Sequence, residues 1–269
     1  MDEQSYHTTP CERFADSVVV VTGSTRGIGR GIARRFAAEG AAVVITGRES
    51  DHGAMVASSI RENGGDALFV EADLRDPAAI EALFQTTAEE YGCLDVLVNN
   101  AGVQTETSVT ETTLEDWEFV LETNFRAYWL CAKHAAEQMK GGAIINISSN
   151  HSFQTMPSHF PYNAVKAGIN GMTRAMALDL GPEIRTNTIT PGWIEVERTR
   201  EELPEDRREQ VEAIHPVGRI GNPEDVASVA AFLASDDAAF VTGANVLVDG
   251  GRTAAMQDET LPDYRRRHK

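Results

Sequence analysis

Tyr162 and Lys166 are the two residues whose types and spacing most clearly indicate chemistry. They lie four positions apart in the segment YNAVK, so on a helix they share one face and the ammonium can sit beside the phenol. A phenol with an ordinary pKa of about 10 exchanges protons slowly at pH 7, and a neighbouring cation lowers that pKa by favouring the phenolate. The pair therefore predicts a proton donor or acceptor of the kind that carbonyl reduction needs.

A glycine-rich turn, TGSTRGIG at residues 22–29, follows a run of four valines and precedes a helical pattern. Glycines there allow a tight turn, close approach of a pyrophosphate and close helix packing, while the helix N-terminus supplies N–H donors. The turn therefore predicts a dinucleotide site. Its predicted cofactor contacts are Gly23, Thr25, Arg26, Gly27, Ile28 and Gly29.

The elements that must position these residues alternate along the chain. Short apolar strands are predicted at 18–21, 42–46, 68–71, 96–99, 143–148, 186–190 and 246–248, with helices at 28–39, 77–91 and 223–235 among the segments between them. This alternation predicts an α/β fold, a single-domain, Rossmann-type, doubly wound parallel sheet of about seven strands with helices on both faces. Residues 1–16 form an N-terminal extension before the domain at 17–251, and 252–269 a C-terminal tail; the first and last few residues are predicted to be disordered.

Several further motifs occur in register with the glycine turn and the YxxxK pair. They are Asp73 after a strand, the segment NNAG at 99–102, Asn124, Ser149 and Pro191-Gly192. With these motifs the chain resembles the short-chain dehydrogenase/reductase family from residue 17 to residue 251. The resemblance implies an NAD(P)-dependent enzyme that transfers a hydride between nicotinamide and a secondary alcohol or carbonyl.

The resemblance also implies a catalytic tetrad of Asn124, Ser149, Tyr162 and Lys166. Tyr162 would donate or accept the proton, Ser149 would hydrogen-bond the substrate oxygen, and Lys166 would also hold the nicotinamide ribose. Asn124 would anchor a water that passes protons to Lys166, the alternative being a capped or kinked helix without chemistry. Ser148 is a rival to Ser149, but the spacing of thirteen from Ser149 to Tyr162 (162 − 149) matches the family pattern.

The cofactor preference is predicted from the end of the second strand. Gly47 stands where NAD-preferring members of the family carry Asp, and Arg26 and Arg48 flank the expected position of a 2′-phosphate. NADP(H) is therefore favoured and NAD(H) remains possible, since Glu49 and Asp51 lie nearby and Arg48 could simply pair with one of them. The other cofactor contacts that the resemblance implies are Asp73, Leu74, Asn100, Ala101, Gly102, Tyr162, Lys166, Pro191, Gly192 and Ile194.

Asp73 has an alternative role, and the segment after Gly192 departs from the family pattern. Asp73 could instead cap the helix that begins near Pro77. After Pro191-Gly192 the family often has a threonine four residues past the glycine, near the nicotinamide amide, whereas this chain has Val196. Either Thr199 or backbone groups replace that hydroxyl, or the nicotinamide contact is weaker.

The composition limits the class of partner. The chain has 269 residues, 42% of them hydrophobic, and a net charge of −17, which argues against nucleic acid and anionic membranes as partners. The acidic surface reflects either high-salt adaptation or a genome that favours arginine. The three cysteines lack the spacing of a zinc site or a disulfide framework, so no metal is predicted. The first residues lack the pattern of a signal peptide, which predicts a cytoplasmic protein.

The substrate is expected to contact a polar rim formed by His151, Gln154, His159, Trp193 and Glu195. Several hydrogen-bonding groups suit a sugar or polyol better than an aliphatic ketone, although they are equally consistent with exposed loop residues. The alternative function is a 3-oxoacyl-carrier-protein reductase, which the acidic charge disfavours because a carrier protein is itself acidic. A non-catalytic dinucleotide-binding subunit is a further alternative, but it should lack part of the tetrad.

Self-association is predicted from apolar side chains that one sheet cannot cover. They lie in the helical stretches 114–139 and 162–180 and include Trp117, Phe119, Tyr128, Trp129, Met172 and Met176. A helix buries one stripe against its own core, so a second stripe needs a partner. The last strand with residues 240–243 is expected to form another symmetric contact. The resembled family usually assembles as tetramers through the corresponding two helices, so a homotetramer is predicted, with a dimer as the next choice.

Overall fold

The computed structural model describes residues 12–254, apart from the side chains of Arg198, Glu201, Glu202, Glu205 and Asp206. Within that range the strands are β1 (Val18–Val21), β2 (Ala42–Gly47), β3 (Asp66–Glu71), β4 (Val96–Asn99), β5 (Gly142–Ile147), β6 (Ile184–Pro191) and β7 (Asn245–Val248). They form one sheet in the order β3-β2-β1-β4-β5-β6-β7 with every neighbouring pair parallel. The predicted α/β class is confirmed.

Helices connect the strands on both faces of the sheet. Those in the described part of the chain are α1 (Gly27–Ala38), α2 (Ser50–Glu62), α3 (Pro77–Tyr91), α4 (Leu114–Leu121), α5 (Ala127–Gln138), α6 (Tyr162–Asp179), α7 (Glu197–Glu202), α8 (Glu205–Ala213) and α9 (Pro223–Ala234). A π-helical turn, Glu122–Arg126, joins α4 to α5. Short 3₁₀ turns at Asn150–Ser152 and Asp236–Ala238 follow β5 and α9.

The valine run of β1 shows why the central strands lack alternation. Val19 and Val21 pack into the core that α1, α2 and α9 form on one face of the sheet. Val18 and Val20 pack into the core beneath α3, α5 and α6 on the other face. Because both faces are covered, all four side chains are buried, as a continuous apolar run predicts.

The bounds of β3 and β6 differ most from their predicted bounds. The predictions at 18–21, 77–91 and 96–99 agree at both ends. β3 begins at Asp66, two residues before the prediction, because Asp66 pairs with Ala42. β6 extends beyond 186–190 because Ile184 and Arg185 pair with Gly142 and Ala143. Backbone pairing accommodates polar side chains that hydropathy alone assigns to loops.

The strand order reverses beside β1, which lies between β2 and β4. Helices diverge at such a reversal and leave a crevice at the carboxyl ends of the strands, where ligands of open α/β sheets bind. The glycine turn after β1, the NNAG segment after β4 and the serines after β5 all lie at that edge. The topology therefore brings together motifs that are far apart in sequence.

Part of the predicted N-terminal extension packs on the domain. Phe14 is buried with its ring edge against Phe36 at 4.8 Å between centroids, and Arg13 forms an ion pair with Glu39 at 2.6 Å. The disorder predicted for both ends of the chain concerns residues that lie outside the described range.

Among residues 12–254, no helix combines the length and the apolar character needed to cross a lipid bilayer.

Candidate active site

Tyr162 and Lys166 occupy the first two turns of α6, on one face. Tyr162 is the first residue of the helix, and Lys166 Nζ lies 5.7 Å from the centroid of its ring. The same ammonium lies 5.4 Å from the ring of Tyr128, which is buried. Lys166 therefore lies beside Tyr162, as the four-residue spacing predicts, and Tyr128 completes a compact group at the start of α6 that the spacing does not predict.

Lys166 is held in a buried environment. Only 3% of its surface is exposed, and Nζ donates a hydrogen bond of 2.8 Å to the main-chain oxygen of Ile147 at the end of β5. Burial lowers the pKa of Lys166 to about 7, because desolvation penalises the charged form. The proton of this ammonium can thus be exchanged near neutral pH.

Ser148 and Ser149 have different surroundings. The Ser148 hydroxyl donates a hydrogen bond of 2.8 Å to the main-chain oxygen of Lys166, which ties the end of β5 to α6. The Ser149 hydroxyl accepts from the N–H of His151 at 3.2 Å and contacts Asn150 Oδ1 only at 3.5 Å. Ser148 is thereby engaged in holding the helix, while the Ser149 hydroxyl retains hydrogen-bonding capacity.

Asn124 lies in the π-helical turn and is fully buried. Its Oδ1 accepts from the N–H of Val103 and its Nδ2 donates to the Val103 oxygen, both at 2.7 Å. A Cβ added to Gly102 would lie 3.3 Å from Asn124 Oδ1 and 3.7 Å from Lys166 Nζ. The side chain therefore fixes the loop after β4 next to Lys166, and the water-anchoring role stays a prediction.

The glycine turn forms a cradle without space for side chains. Gly23 has a φ of +61°, and a Cβ there would lie 2.7 Å from Ala101 Cα. A Cβ on Gly29 would overlap Gly23 O and Asn100 Nδ2. Arg26, the N-cap of α1, provides no side-chain cap; the Gly27 N–H bonds the Glu197 carboxylate, and the N–H groups of Ile28 and Gly29 remain for an anion. These residues fit the pyrophosphate of a dinucleotide.

Thr22 and Asn100 bind the glycine turn to the end of β4. Thr22 Oγ1 accepts from the backbone N–H of Asn100 at 2.8 Å and of Ala101 at 3.0 Å. In return, Asn100 Nδ2 donates to the main-chain oxygens of Thr22 and Gly23, at 2.9 and 3.0 Å. Sequence reasoning missed this role of Thr22, for which its place just before Gly23 is the only local signal.

At the end of β2 the charges are arranged around Glu49. Arg26 forms an ion pair with Glu49 at 3.5 Å, and the Thr25 hydroxyl donates to Glu49 at 3.2 Å. Arg48 is exposed and, among the described residues, has no carboxylate within ion-pair distance. A Cβ on Gly47 would lie 2.7 Å from the methyl group of Thr25, so glycine and threonine pack closely here.

Asp73 and Leu74 follow β3 at the same edge. The Arg75 guanidinium hydrogen-bonds both oxygens of Asp73 and holds the pKa of that carboxyl below its ordinary value, with a smaller contribution from the charge of Arg48. Leu74 is buried. The residue that caps α3 is Asp76, which accepts from the N–H of Ala78 at 2.9 Å, so the helix-cap alternative for Asp73 is wrong.

Pro191, Gly192 and Ile194 lie at the end of β6 and lead into α7. Gly192 donates its N–H to Val248 O at 3.0 Å, and a Cβ on it would lie 2.6 Å from the Cβ of Asp249. The Thr199 hydroxyl accepts from the N–H of Val196 at 2.8 Å and contacts the oxygen of Ile194 at 3.2 Å. Thr199 is therefore engaged with the start of α7 and is not presented as a free hydroxyl.

Two of the five predicted substrate residues lie beside Tyr162. His151 and His159 stack with centroids 4.5 Å apart, and the His151 ring lies edge-on to Tyr162 at 5.9 Å. Burial, with smaller contributions from the charges of His159 and Arg252, lowers the pKa of His151 to about 4. His151 is consequently neutral at pH 7.

The other three predicted substrate residues contact different segments. Gln154 Nε2 donates to the oxygen of Thr253 at 3.4 Å. The Trp193 ring lies 5.8 Å from the guanidinium carbon of Arg252. Glu195 forms ion pairs with Arg208 of α8 and, at 3.8 Å, with Arg200 of α7. Gln154 and Trp193 thus meet the C-terminal residues 252–253, and Glu195 holds α7 and α8 together.

Comparison with known proteins places this arrangement in a family. A family model described as "Enoyl-(Acyl carrier protein) reductase" matches residues 23–253. A short-chain dehydrogenase/reductase from Serratia marcescens BCRC 10948 superimposes with a TM-score of 0.85 at 35% identity, covering 90% of this chain and 99% of that one. The chain belongs to the short-chain dehydrogenase/reductase family. It is therefore an oxidoreductase of a family that uses NAD(P) cofactors.

Relatives with named activities act on alcohols. The NADP-dependent (R)-specific alcohol dehydrogenase of Lentilactobacillus kefiri is 39% identical over 90% of this chain and 99% of its own length. The meso-2,3-butanediol dehydrogenase of Serratia marcescens is 39% identical over 90% of this chain and 97% of its own length. This member of the short-chain dehydrogenase/reductase family is thus similar along nearly its whole length to an alcohol dehydrogenase and to a butanediol dehydrogenase.

Proposed function

We propose that this enzyme interconverts a secondary alcohol and the corresponding carbonyl, with a preference for NADP(H) and for a sugar or polyol substrate. The observation that carries the proposal is the group formed by Tyr162, the buried Lys166 beside its ring, and Ser149 at the end of β5. Catalysis of this kind needs a proton donor and an oxygen-binding group fixed on rigid elements.

Each of these residues has a chemical task in the proposal. A bound nicotinamide supplies the hydride in reduction and accepts it in oxidation. Ser149 Oγ donates a hydrogen bond to the carbonyl oxygen and holds it against the Tyr162 hydroxyl. Tyr162 transfers its proton to that oxygen in reduction and takes a proton from the alcohol in oxidation. The Lys166 cation stabilises the phenolate that remains, and Asn124 keeps the loop at Gly102 and Val103 in place beside it.

In this proposal the cofactor lies at the carboxyl ends of β1 and β4. The glycine cradle and the N-terminus of α1 would bind the pyrophosphate, and Lys166 the nicotinamide ribose. NADP(H) is preferred because β2 ends at Gly47 without an acid and because Arg26 and Arg48 are both exposed there. Glu49 opposes this preference by pairing with Arg26. NAD(H) therefore remains a usable cofactor in the proposal.

The substrate proposal rests on polar groups near Tyr162 and on the relatives. The imidazoles of His151 and His159 and the amide of Gln154 can hydrogen-bond hydroxyl groups beside the reacting carbon. The related diol and alcohol dehydrogenases have names that agree with such a substrate. A carrier-protein substrate is less well supported, because Arg200 of α7 and Arg208 of α8 are paired with Glu195.

A panel of substrates with a matched variant tests this function. We expect NADPH oxidation or NADP⁺ reduction with sugars, polyols, diketones or simple secondary alcohols above the rate with acyl thioesters. Tyr162→Phe should abolish turnover and change NADPH affinity by less than a few fold, because the phenol acts on the substrate. Lys166→Ala should damage both turnover and cofactor binding. Equal loss of binding and turnover in Tyr162→Phe would contradict the assignment.

We also propose a cytoplasmic homotetramer with its catalytic domain at residues 17–251 and with neither nucleic acid nor membrane as a partner. Apolar side chains exposed on the predicted contact segments support the assembly: Leu114 and Trp129 near α4 and α5, and Phe240 and Leu247 near β7. Tyr128 and Met176 do not contribute, since the subunit's own core buries them. Light scattering should give about four times 29.3 kDa at micromolar concentration, repeated at high salt to screen acidic repulsion. A monomer in both conditions would overturn the assembly.

A further inference from the structure

Arg252 is a cation on the substrate side of the candidate site that sequence reasoning did not single out. Its guanidinium carbon lies 5.8 Å from the centroid of the Trp193 ring. Burial lowers the pKa of Arg252, and the charge of Asp249 opposes that effect only partly. Among the side chains that the structure describes, no carboxylate lies within ion-pair distance of this guanidinium. It is a partly desolvated charge with bonding capacity that the described residues do not use.

A fixed turn carries Arg252 into this position. The buried Asp249 accepts the N–H of Gly251 on Oδ1 at 2.9 Å and the N–H of Thr253 on Oδ2 at 2.7 Å. The main-chain N–H of Arg252 donates to the main-chain oxygen of Asp249 at 3.1 Å. Asp249 therefore uses its carboxylate to shape the turn, which is why it does not form an ion pair with the guanidinium.

Residues from the loop before α6 and from the end of β6 contact the turn that carries Arg252. Gln154, in the loop before α6, donates to Thr253 O at 3.4 Å. The charge of Arg252 contributes to the low pKa of His151, whose ring lies 5.9 Å from Tyr162. Trp193 follows Gly192, at the end of β6. Arg252 thus lies close to Trp193 and, through its charge and its neighbour Thr253, to His151 and Gln154, three residues predicted to contact the substrate.

We propose that Arg252 binds a carboxylate carried by the substrate, so that the enzyme acts on a secondary hydroxy acid, or on the corresponding keto acid, such as a sugar acid. This inference rests on the proposed function and narrows its substrate class. A guanidinium over an indole ring has a planar edge that can meet a carboxylate with two parallel hydrogen bonds. In a chain of net charge −17, an anionic substrate needs such a local cation. His151, which is neutral, can add a hydrogen bond to the substrate but no positive charge, so Arg252 is the cation in this proposal.

Pairs of compounds that differ by the presence of a carboxylate provide the test. Kinetics are measured with 3-hydroxybutyrate and its methyl ester, with 4-hydroxycyclohexanecarboxylate and its methyl ester, and with gluconate and glucitol. We expect kcat/KM to favour the carboxylate by roughly tenfold or more in at least one pair, mainly through KM. Glycerol 3-phosphate and glucitol 6-phosphate are measured as well, to test whether the site prefers a phosphate to a carboxylate. A preference for these phosphates over every carboxylate would overturn the carboxylate assignment.

Variants assign the preference to Arg252. In Arg252→Gln the ratio of carboxylate to neutral compound should fall close to one, and Arg252→Lys should retain part of it because the charge remains without the fork geometry. Arg34→Gln removes the same charge from the exposed side of α1 and should keep the wild-type ratio. If Arg252→Gln does not fold, competitive inhibition of the wild type by cyclohexanecarboxylate, absent with methyl cyclohexanecarboxylate, tests the same contact.

The outcomes separate the two proposals. Turnover of the neutral alcohols at rates equal to their carboxylate partners would overturn the role of Arg252 and leave the proposed function intact. A carboxylate preference that persists in Arg252→Gln would also overturn it. Failure to turn over any alcohol or carbonyl compound with either cofactor would instead contradict the proposed function.

Discussion

Lys166 Nζ donates a hydrogen bond to the main-chain oxygen of Ile147, at 2.8 Å, across the gap between α6 and the end of β5. The bond joins Lys166, which lies beside the Tyr162 ring, to the strand that directly precedes Ser148 and Ser149. It also places an ammonium where water is excluded, which lowers the pKa of Lys166 from 10.5 to about 7. One contact therefore couples the geometry of the site to its proton chemistry.

The first prediction concerns stability and pH in the absence of cofactor. Below pH 7 Lys166 is charged in both the folded and the unfolded chain, and above it the folded chain loses the proton while the unfolded chain keeps it up to about 10.5. Because the unfolded state then binds more protons, the free energy of unfolding should rise with pH, by about 1.5 kcal/mol between pH 7 and 8.5 from this residue. Denaturant titrations at both pH values measure the increment.

A comparison of variants isolates that increment. Lys166→Met should lose it, whereas Lys133→Met, at an exposed position of α5, should keep it. Burial raises the pKa of Cys131 to about 12, which acts in the opposite direction, but this contribution is common to the wild type and both variants and cancels in the comparison. The same pH increment in Lys166→Met and in the wild type would show that Lys166 remains charged in the folded protein.

The second prediction distinguishes the two serines. Ser149→Ala should reduce kcat by roughly two orders of magnitude, because the substrate oxygen loses a hydrogen bond that aligns it with Tyr162. Ser148→Ala should instead cost about 1 kcal/mol of stability, since its buried hydroxyl donates to the Lys166 oxygen. Turnover rates and thermal melting temperatures of both variants are the measurements. The reverse pattern would assign the substrate contact to Ser148.

The sequence predicts those parts of the molecule that are local in the chain. The strand of four valines, the helix from Pro77 to Tyr91 and the shared face of Tyr162 and Lys166 all follow from short periodic patterns. The bonds of Asn124 to Val103 and of Thr22 to Asn100 span 21 and 78 positions and have no such pattern. Arg252 was missed for the same reason, because only tertiary packing brings residues 252–253 against Trp193 and Gln154.

The third prediction concerns cofactor preference and includes a steric condition. Gly47→Asp with Arg48→Ala should shift preference from NADP toward NAD, because the acid repels a 2′-phosphate and accepts from the ribose hydroxyls. A Cβ at position 47 would approach the Thr25 methyl group to 2.7 Å. Adding Thr25→Ser removes that methyl group and keeps the hydroxyl that donates to Glu49.

Kinetics with both cofactors test this prediction. We expect the triple variant to show the larger shift in the ratio of kcat/KM for NAD to that for NADP, and Thr25→Ser alone to leave the ratio near the wild-type value. A wild type that already uses NAD better than NADP would contradict the cofactor preference itself. If Gly47→Asp with Arg48→Ala gives the same shift as the triple variant, the Thr25 methyl group can move aside to accommodate the new side chain.

The last prediction concerns Glu197, whose carboxylate lies near the N-terminus of α1. It forms an ion pair with Arg30, and Val196 packs within 3.4 Å of the position that a Cβ on Gly27 would take. Burial raises the pKa of Glu197, but hydrogen bonds from its own N–H and from Gly27, with the charge of Arg30, more than offset this and lower it. An anion thus already interacts with the helix end where we propose that the pyrophosphate binds.

Removing this carboxylate should strengthen cofactor binding. Glu197→Gln is expected to lower the Kd for NADPH by about two- to fivefold, the factor that corresponds to a charge near a helix terminus. Glu224→Gln is the matched control, because Glu224 also pairs with an arginine of α1, Arg35, at the other end of the helix. Fluorescence titrations at low and high salt measure the difference, which should shrink as salt screens the repulsion. Unchanged or weaker binding in Glu197→Gln would show that Glu197 positions α7 over the glycine turn and does not compete with the cofactor.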